Sequence, residues 1–301
     1  MPNADAKDKN SKCTLLGQRY KMAEEKTAVV TGSSTGIGYE TSLLLAKNGF
    51  RTYATVRNPD KAKEIRDISD KGELPIHVIE LDVDSDKSVE DAIDKIYDES
   101  KRIDVLVNNA GYGLGGALED LSMKEIKAQF ETNLFGAIRV MKTVLPIMRK
   151  QRAGTIVNIS SVAGRVGLPL YSAYHGTKFA LEGISESVRY ETEPFGIKVV
   201  LVEPGPIRTN FMGNSKVGQK ATEPNSPYAP MTKRLQNTLV HFVEQGISPE
   251  EVAKVILKAV SSDNPNTRYT VGDEARQIMD ARKQMSDLEF EGLVKQQFLA
   301  Q

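Results

Sequence analysis

Short β-branched runs alternating with helical stretches leave this chain few folds to adopt. From Lys26 onward the runs are Thr27–Thr31, Thr52–Val56, His77–Leu81, Asp104–Asn108, Thr155–Ser160 and Lys198–Val202, with a late candidate at Arg268–Gly272. Each is almost continuously apolar, the pattern of strands covered on both faces in a parallel sheet. Helical periodicity fills the gaps. It predicts Ile37–Asn48, stopped by Gly49, and Ser88–Ser100, with Val89, Ile93 and Ile96 on one stripe. It also predicts Lys124–Lys150, which Pro146 should kink or break, and Tyr171–Glu191. Ser248–Ser261 carries Pro249 one residue inside its start, where proline is tolerated. Such alternation builds an α/β fold, a doubly wound sheet with right-handed crossovers.

The stretch from about Gly213 to Pro230 is rich in Gly, Asn, Ser and Pro and breaks this rhythm. In doubly wound folds ligands bind beyond the carboxyl ends of the strands. A loop at about 211–232 is therefore expected to be a binding lid and not a domain linker. The predicted organisation is a polar, disordered tail over 1–25, one domain over 26–273, and a helical extension over 274–301 packed on the same domain.

Charge and composition exclude several function classes. Lys+Arg and Asp+Glu are both 40, so no strongly basic field is available to hold nucleic acid. The single cysteine, Cys13, can form neither an internal disulfide nor a CxxC metal site. The three histidines, His77, His175 and His241, share no metal-ligand spacing, so no metal is expected. No segment approaches the roughly 20 apolar residues of a membrane span, and the first residues hold no signal-peptide core, so the expected location is cytoplasmic.

The first strand runs into Thr31-Gly32-Ser33-Ser34-Thr35-Gly36-Ile37-Gly38 and then a helix. Glycines there permit a tight turn and a close approach of backbone to a pyrophosphate, and the helix start offers free N–H groups to phosphates. The other reading is a tight structural turn with no ligand. Further on, Asn108-Asn109-Ala110-Gly111 follows the fourth strand, Tyr174 and Lys178 share a helix, and Pro204-Gly205 follows the sixth strand. Together these four motifs, in this order and at these spacings, resemble the short-chain dehydrogenases/reductases over roughly residues 26–272. The segment Phe50–Asn58 and the C-terminal region after Tyr269 look similar to the branch of steroid and retinol dehydrogenases. The resemblance implies a Rossmann sheet of about seven strands with helices on both faces.

Which nicotinamide cofactor is expected depends on the end of the second strand. A carboxylate there would bond a ribose 2′-OH, and an arginine would accommodate a 2′-phosphate. The chain reads Thr55-Val56-Arg57-Asn58, which favours NADP(H) over NAD(H); a solvated loop charge is the other reading of Arg57. The resemblance implies further cofactor contacts from the glycine loop (Gly32, Ser34, Thr35, Gly36, Ile37, Gly38), with Thr35 near the 2′-phosphate. It places Asp82 on the adenine amino group, unless Asp82 merely caps a turn, and Val83 on the adenine ring. Asn109, Ala110 and Gly111 would pack along the adenosine ribose, Asn109 also holding the sheet. Pro204, Gly205, Ile207 and Thr209 would meet the nicotinamide end.

Tyr174 and Lys178, at i and i+4, share one helix face. A free phenol with a pKa of about 10 is a poor base, but a nearby ammonium favours its phenolate. Tyr174 could then exchange a proton with an alcohol or carbonyl as general base or acid. The resemblance implies that Lys178 also bonds the nicotinamide ribose. It selects Ser161, thirteen residues before the tyrosine, to hold the substrate oxygen. Ser160 is expected to be a backbone-bonded strand end. Asn133 would hold a water against the lysine, or would simply be a polar residue at a helix distortion. His175 points about 100° from Tyr174 on a helix and is expected to be structural.

Val162, Leu168, Leu170, Tyr171, Phe211 and Met212 should surround the pocket. Their apolar character predicts a hydrophobic secondary alcohol and its ketone or aldehyde as substrates. A homodimer or homotetramer is expected. Two other classes stay open: a cofactor-binding sensor without turnover, and a sugar-nucleotide epimerase or dehydratase on a similar fold.

Overall fold

A computed structural model describes residues 25–298. Cys13 and all but the last residue of the polar tail lie outside the described residues. In chain order the elements are β1 (Lys26–Thr31), α1 (Gly36–Lys47), β2 (Phe50–Val56), α2 (Lys63–Lys71), β3 (Ile76–Glu80), α3 (Asp86–Ser100), β4 (Val105–Asn108), β5 (Leu114–Gly115), α4 (Met123–Phe130), α5 (Gly136–Gln151), β6 (Gly154–Ile159) and α6 (Ser172–Thr192). Then follow β7 (Ile197–Pro204), α7 (Phe211–Asn214), β8 (Lys216–Val217), α8 (Ala229–Gln245), α9 (Pro249–Ser261), β9 (Arg268–Val271), α10 (Asp273–Gln284) and α11 (Asp287–Phe298).

Seven of the strands form one sheet in the order β3-β2-β1-β4-β6-β7-β9, and every pair is parallel. These are the seven expected strands, within a residue or two at each end. Side chains alternate across a strand, so β1 feeds two cores. Val29 joins Leu106, Ile156 and Val199 under α3 and α5, where Val89, Ile93, Ile96, Val140 and Val144 are buried. Ala28 and Val30 join Val107, Val157 and Val200 on the other face, under Leu45 of α1 and Val252 and Ile256 of α9. Leu106, fully buried at the centre of β4, should be among the costliest core positions to truncate. Leu106→Ala is expected to lose about 2–5 kcal/mol of stability, read as a lowered urea midpoint.

The order reverses between β1 and β4, since β2 leaves β1 on one side and β4 lies on the other. That switch point opens a crevice at the carboxyl ends of the strands. The predicted helix over 124–150 is divided, though not at Pro146. Pro146 lies inside α5, which runs on unbroken, and the interruption is a π-helical turn at Glu131–Phe135. The stretch at 211–232, expected to be a loop, is partly ordered. β8 pairs with β5 in a second, two-stranded sheet, and α8 begins at Ala229. At the far end α10 buries Ala275 and Met279, α11 buries Phe290, and Phe298 meets Phe242 of α8 at 6.2 Å. No helix among the described residues is long and apolar enough to cross a membrane.

Candidate active site

The glycine turn between β1 and α1 is held by close packing and by backbone conformation. Gly32 and Gly36 take left-handed φ values of 69° and 63°, which a side chain would strain. Gly38 is needed for space: a Cβ there would lie 2.4 Å from the Gly32 carbonyl oxygen and 2.5 Å from Asn109 Nδ2. Asn109 donates to the carbonyls of Thr31 (2.9 Å) and Gly32 (3.1 Å). The Thr31 hydroxyl accepts the N–H groups of Asn109 (3.0 Å) and Ala110 (3.1 Å). These bonds lock the end of β1 to the end of β4, with Gly111 continuing exposed beside them. Thr31, the first residue of the glycine motif, thus clasps β4, a role that the motif alone does not reveal.

Helix α1 begins with an unclaimed positive end. Thr35 precedes it in extended conformation, makes no side-chain cap, and no acidic residue stands in the first turn. Ser34 is half-buried, Thr35 is exposed, and Ile37 turns toward the α9 core. A Cβ at Gly36 would come within 3.3 Å of Thr209, so the loop after β7 reaches over the glycine turn. In that loop Gly205 donates to the Val271 carbonyl (3.0 Å), Ile207 is buried in a bridge to Ile247, and Thr209 accepts the Phe211 N–H (3.2 Å).

Arg57 is exposed at the end of β2, on the same crevice. Its charge acts on Asp84 and Tyr112, lowering the proton affinity that burial and neighbouring carboxylates raise in each. Asp82 accepts the Asp84 N–H at 3.1 Å, so its carboxylate already caps a turn. Val83 is buried, and a Cβ on Gly136 would come within 2.8 Å of it.

Helix α6 brings the reactive side chains together. Tyr174 lies between Tyr171 (6.3 Å between ring centroids) and Phe211 (5.9 Å). Burial pushes its phenol up to about 12, and the Ser161 hydroxyl acts against that as a hydrogen-bond partner. Ser161 also donates to the Pro204 carbonyl at 3.3 Å and accepts from Ala163 N–H at 3.1 Å. Lys178 is 7% exposed, and its Nζ donates to the Ile159 carbonyl at 2.8 Å. That Nζ is 5.8 Å from the Tyr174 ring centre. Burial pulls its ammonium down to about 8. The sequence-derived trio of Ser161, Tyr174 and Lys178 therefore meets at one place.

Asn133 sits in the π-helical turn, and its side chain reaches the backbone of Tyr112. It accepts the Tyr112 N–H (3.0 Å) and donates to the Tyr112 carbonyl (2.9 Å). Ser160 is not backbone-bonded through its hydroxyl; it is buried and faces Glu182. His175 is buried, with Nδ1 2.8 Å from the Ala163 carbonyl and Nε2 accepting the Leu168 N–H (3.0 Å). It braces the turn that follows Ser161.

Leu168 and Leu170, with Ala117, Leu118, Pro169 and Tyr228, line an open cavity of about 560 Å³ outside Tyr171. Leu170 itself is left-handed, φ 63°, and its carbonyl accepts the Gly116 N–H at 2.7 Å. Glu119, Ser172 and Tyr228 also line this cavity and were not singled out in the sequence. Val162 and Met212 are half-buried nearby in the chain, after Ser161 and Phe211. No group of three His, Cys, Asp or Glu side chains among the described residues could hold a metal.

Residues 26–220 match the family model described as short chain dehydrogenase. The 3-ketodihydrosphingosine reductase of Bacteroides thetaiotaomicron is 38% identical over 244 residues, covering 81% of this chain and 87% of that protein. Retinol dehydrogenase 8 of Homo sapiens is 38% identical over 263 residues, covering 82% and 81%. Among solved structures, ElxO with NADP bound superposes with a TM-score of 0.70 at 30% identity, covering 84% of this chain and 99% of that one.

Proposed function

This chain belongs to the short-chain dehydrogenase family of oxidoreductases, and we propose that it is an NADP(H)-dependent enzyme interconverting a hydrophobic secondary alcohol and its ketone or aldehyde. The observation that carries the proposal is the meeting of Tyr174, Lys178 and Ser161 at the rim of the glycine crevice. The residues present suit a dinucleotide. Gly32 and Gly38 leave no room for a side chain, Gly32 and Gly36 are left-handed, and the uncapped, acid-free start of α1 suits phosphates. Ser34, Thr35, Gly36 and Ile37 would hold the pyrophosphate, Asp82, Val83, Asn109, Ala110 and Gly111 the adenosine, and Pro204, Gly205, Ile207 and Thr209 the nicotinamide end. Bound there, a nicotinamide cofactor supplies or accepts the hydride.

The chain's own part is proton handling. With its phenol pushed up to about 12, Tyr174 keeps its proton at neutral pH, which suits giving one to a carbonyl oxygen. Ser161 holds that oxygen beside the phenol and stabilises its developing charge. Lys178, charged below about 8, favours the phenolate left behind. Asn133 orders the segment at Tyr112 that faces them. A sensor without turnover would not need this assembly, nor does anything in the site favour a sugar nucleotide. The leucines Leu168 and Leu170, on the segment between Ser161 and Tyr174, support a hydrophobic substrate, as do relatives named for retinol and for 3-ketodihydrosphingosine. Phe135, just before α5, and Phe179 of α6 are large exposed hydrophobic side chains, which supports a homo-oligomer.

Arg57 supports the choice of NADP(H), as does the NADP-bound relative. NADPH is expected to bind at least about tenfold tighter than NADH, followed by nicotinamide fluorescence, and Arg57→Ala to erase most of that preference. NADH binding as tightly as NADPH would remove the cofactor assignment. A carbonyl panel, with loss of NADPH absorbance as the readout, then tests the reaction.

A further inference from the structure

Two buried glycines beside the proposed site stand where side chains would ordinarily pack. Gly113 and Gly115 lie on the segment after β4 that forms β5, two residues apart. Alternation along an extended segment gives them one face in common. Leu114, between them, belongs to the cluster of Leu121 and Ala173. On the glycine face stand two aromatic rings. A Cβ on Gly115 would lie 3.2 Å from Tyr171 Cζ, and one on Gly113 would lie 3.3 Å from Phe211 Cζ. These are the two rings that flank Tyr174, with centroids 6.3 and 5.9 Å from its own.

Backbone hydrogen bonds fix both rings at these glycines. The Lys216 N–H donates to the Gly113 carbonyl (2.8 Å) and the Gly218 N–H to the Gly115 carbonyl (2.9 Å), so the segment that carries Phe211 is paired with them. Ser215 Oγ donates to the Phe211 carbonyl at 2.8 Å and would stand 2.7 Å from a Cβ on Gly113. On the other side the Gly116 N–H donates to the Leu170 carbonyl at 2.7 Å, which anchors the residue before Tyr171. Positions two apart along a strand are separated by roughly 7 Å. One layer of carbon atoms between two walls needs about 3.5–4.0 Å to each. That spacing suits a single chain between the ring tips and leaves no width for a branch.

We propose that Tyr171 and Phe211 set the substrate specificity: seated on Gly115 and Gly113 against Tyr174, their rings bound a slot one carbon chain thick, so the enzyme takes carbonyls unbranched at the carbon beside the reacting one. The proposal rests on the reading of Tyr174 as proton donor to a carbonyl. The substrate oxygen has to reach the phenol between the two rings, so the carbons next to it lie at the narrowest place. Chain length further out is not limited there, because the cavity outside Tyr171, at Leu168 and Leu170, is open.

The test compares methyl octyl ketone with the same ketone carrying a methyl branch on the octyl carbon beside the carbonyl, as the ratio of kcat/KM with NADPH. Decanamide and its α-methyl derivative, which resist reduction, are titrated into the NADPH complex to read binding alone. The native protein is expected to favour the straight ketone by at least about tenfold. Tyr171→Ala and Phe211→Ala should each bring the ratio below about threefold, with the branched ketone gaining. Tyr171→Phe keeps the ring and should keep the native ratio. Should Tyr171→Ala not fold, Phe211→Ala, on the short α7, carries the expectation alone. A native ratio below about threefold overturns the proposal, and so does a native ratio that survives the alanine variants. A ratio lost as fully in Tyr171→Phe as in Tyr171→Ala also overturns it, because selection would then lie in the hydroxyl. A native protein that reduces neither ketone, yet binds decanamide the tighter and loses that preference in the alanine variants, keeps the slot and sinks the reaction assigned to Tyr174.

Discussion

Tyr174→Phe is expected to lower kcat for carbonyl reduction by about 10²–10⁴-fold while NADPH affinity changes by less than about threefold. The phenylalanine keeps the ring that contacts Tyr171 and Phe211, so the site should stay packed. What it removes is the one phenolic proton poised beside Ser161. The native enzyme's pH profile gives a second signature. Lys178 has its proton affinity lowered by burial to about 8, so its ammonium is present below that pH and lost above it. Above about pH 8 the phenolate left by proton donation has no cation to favour it, and the native rate should fall. Residual turnover in Tyr174→Phe has no such proton to give and should be flat across the same range. Single-turnover oxidation of NADPH at saturating carbonyl, from pH 6 to 9.5, separates the two. A Phe variant within tenfold of native would remove Tyr174 from the chemistry.

The parts of the fold legible in the sequence are those whose burial is local and periodic. All seven strands of the main sheet were, because both faces are covered and the apolar runs are continuous. Helix α3 was, because Val89, Ile93 and Ile96 bury one stripe. Helix α2 has only nine residues and buries only Ile65 fully, and α8 follows a Gly/Pro-rich stretch and buries only Thr232 and Leu235, so neither stood out as a helix of the core. The strands β5 and β8 have two residues each and exist only because the segment after α7 folds back on the segment after β4. Pro146 misled for a related reason. A proline removes one hydrogen bond, but the neighbouring packing of Val144 and Met148 holds α5 together across it.

The site shows the same division. Ser161, Tyr174, Lys178 and the glycine turn stand in short motifs, and their spacing alone brings the first three into register. Glu182 stands on that same helix but looks like one more polar residue among Glu182, Ser185 and Glu186. Its burial rests on the ion pair with Arg268, 86 residues away, which Glu203 shares. Asn133 was visible as an oddity inside a helix, yet its partner Tyr112 was not, since a backbone partner carries no sequence signature.

Gly38→Ala should have the second largest effect, and its argument is spatial. The added methyl would stand 2.4 Å from the Gly32 carbonyl oxygen and 2.5 Å from Asn109 Nδ2, well inside contact distance. Neither neighbour can step aside cheaply. The carbonyl is backbone within the turn, and the Asn109 amide is the clasp that donates to Thr31 and Gly32. Relief requires opening the turn away from α1, at a cost of about 1–3 kcal/mol for an overpacked position. The same opening moves the N–H groups that should meet the phosphates, so NADPH affinity is expected to fall by at least about 100-fold. Gly49→Ala is the comparison. Gly49 has φ 82° and nothing within 4 Å of a Cβ, so alanine there pays only the left-handed strain of about 1–2 kcal/mol. It should lower the melting temperature much as Gly38→Ala does and leave NADPH binding unchanged. Equal affinity in the two variants would mean that the cradle of Gly32, Gly36 and Gly38 is a structural turn and that the phosphates are held elsewhere.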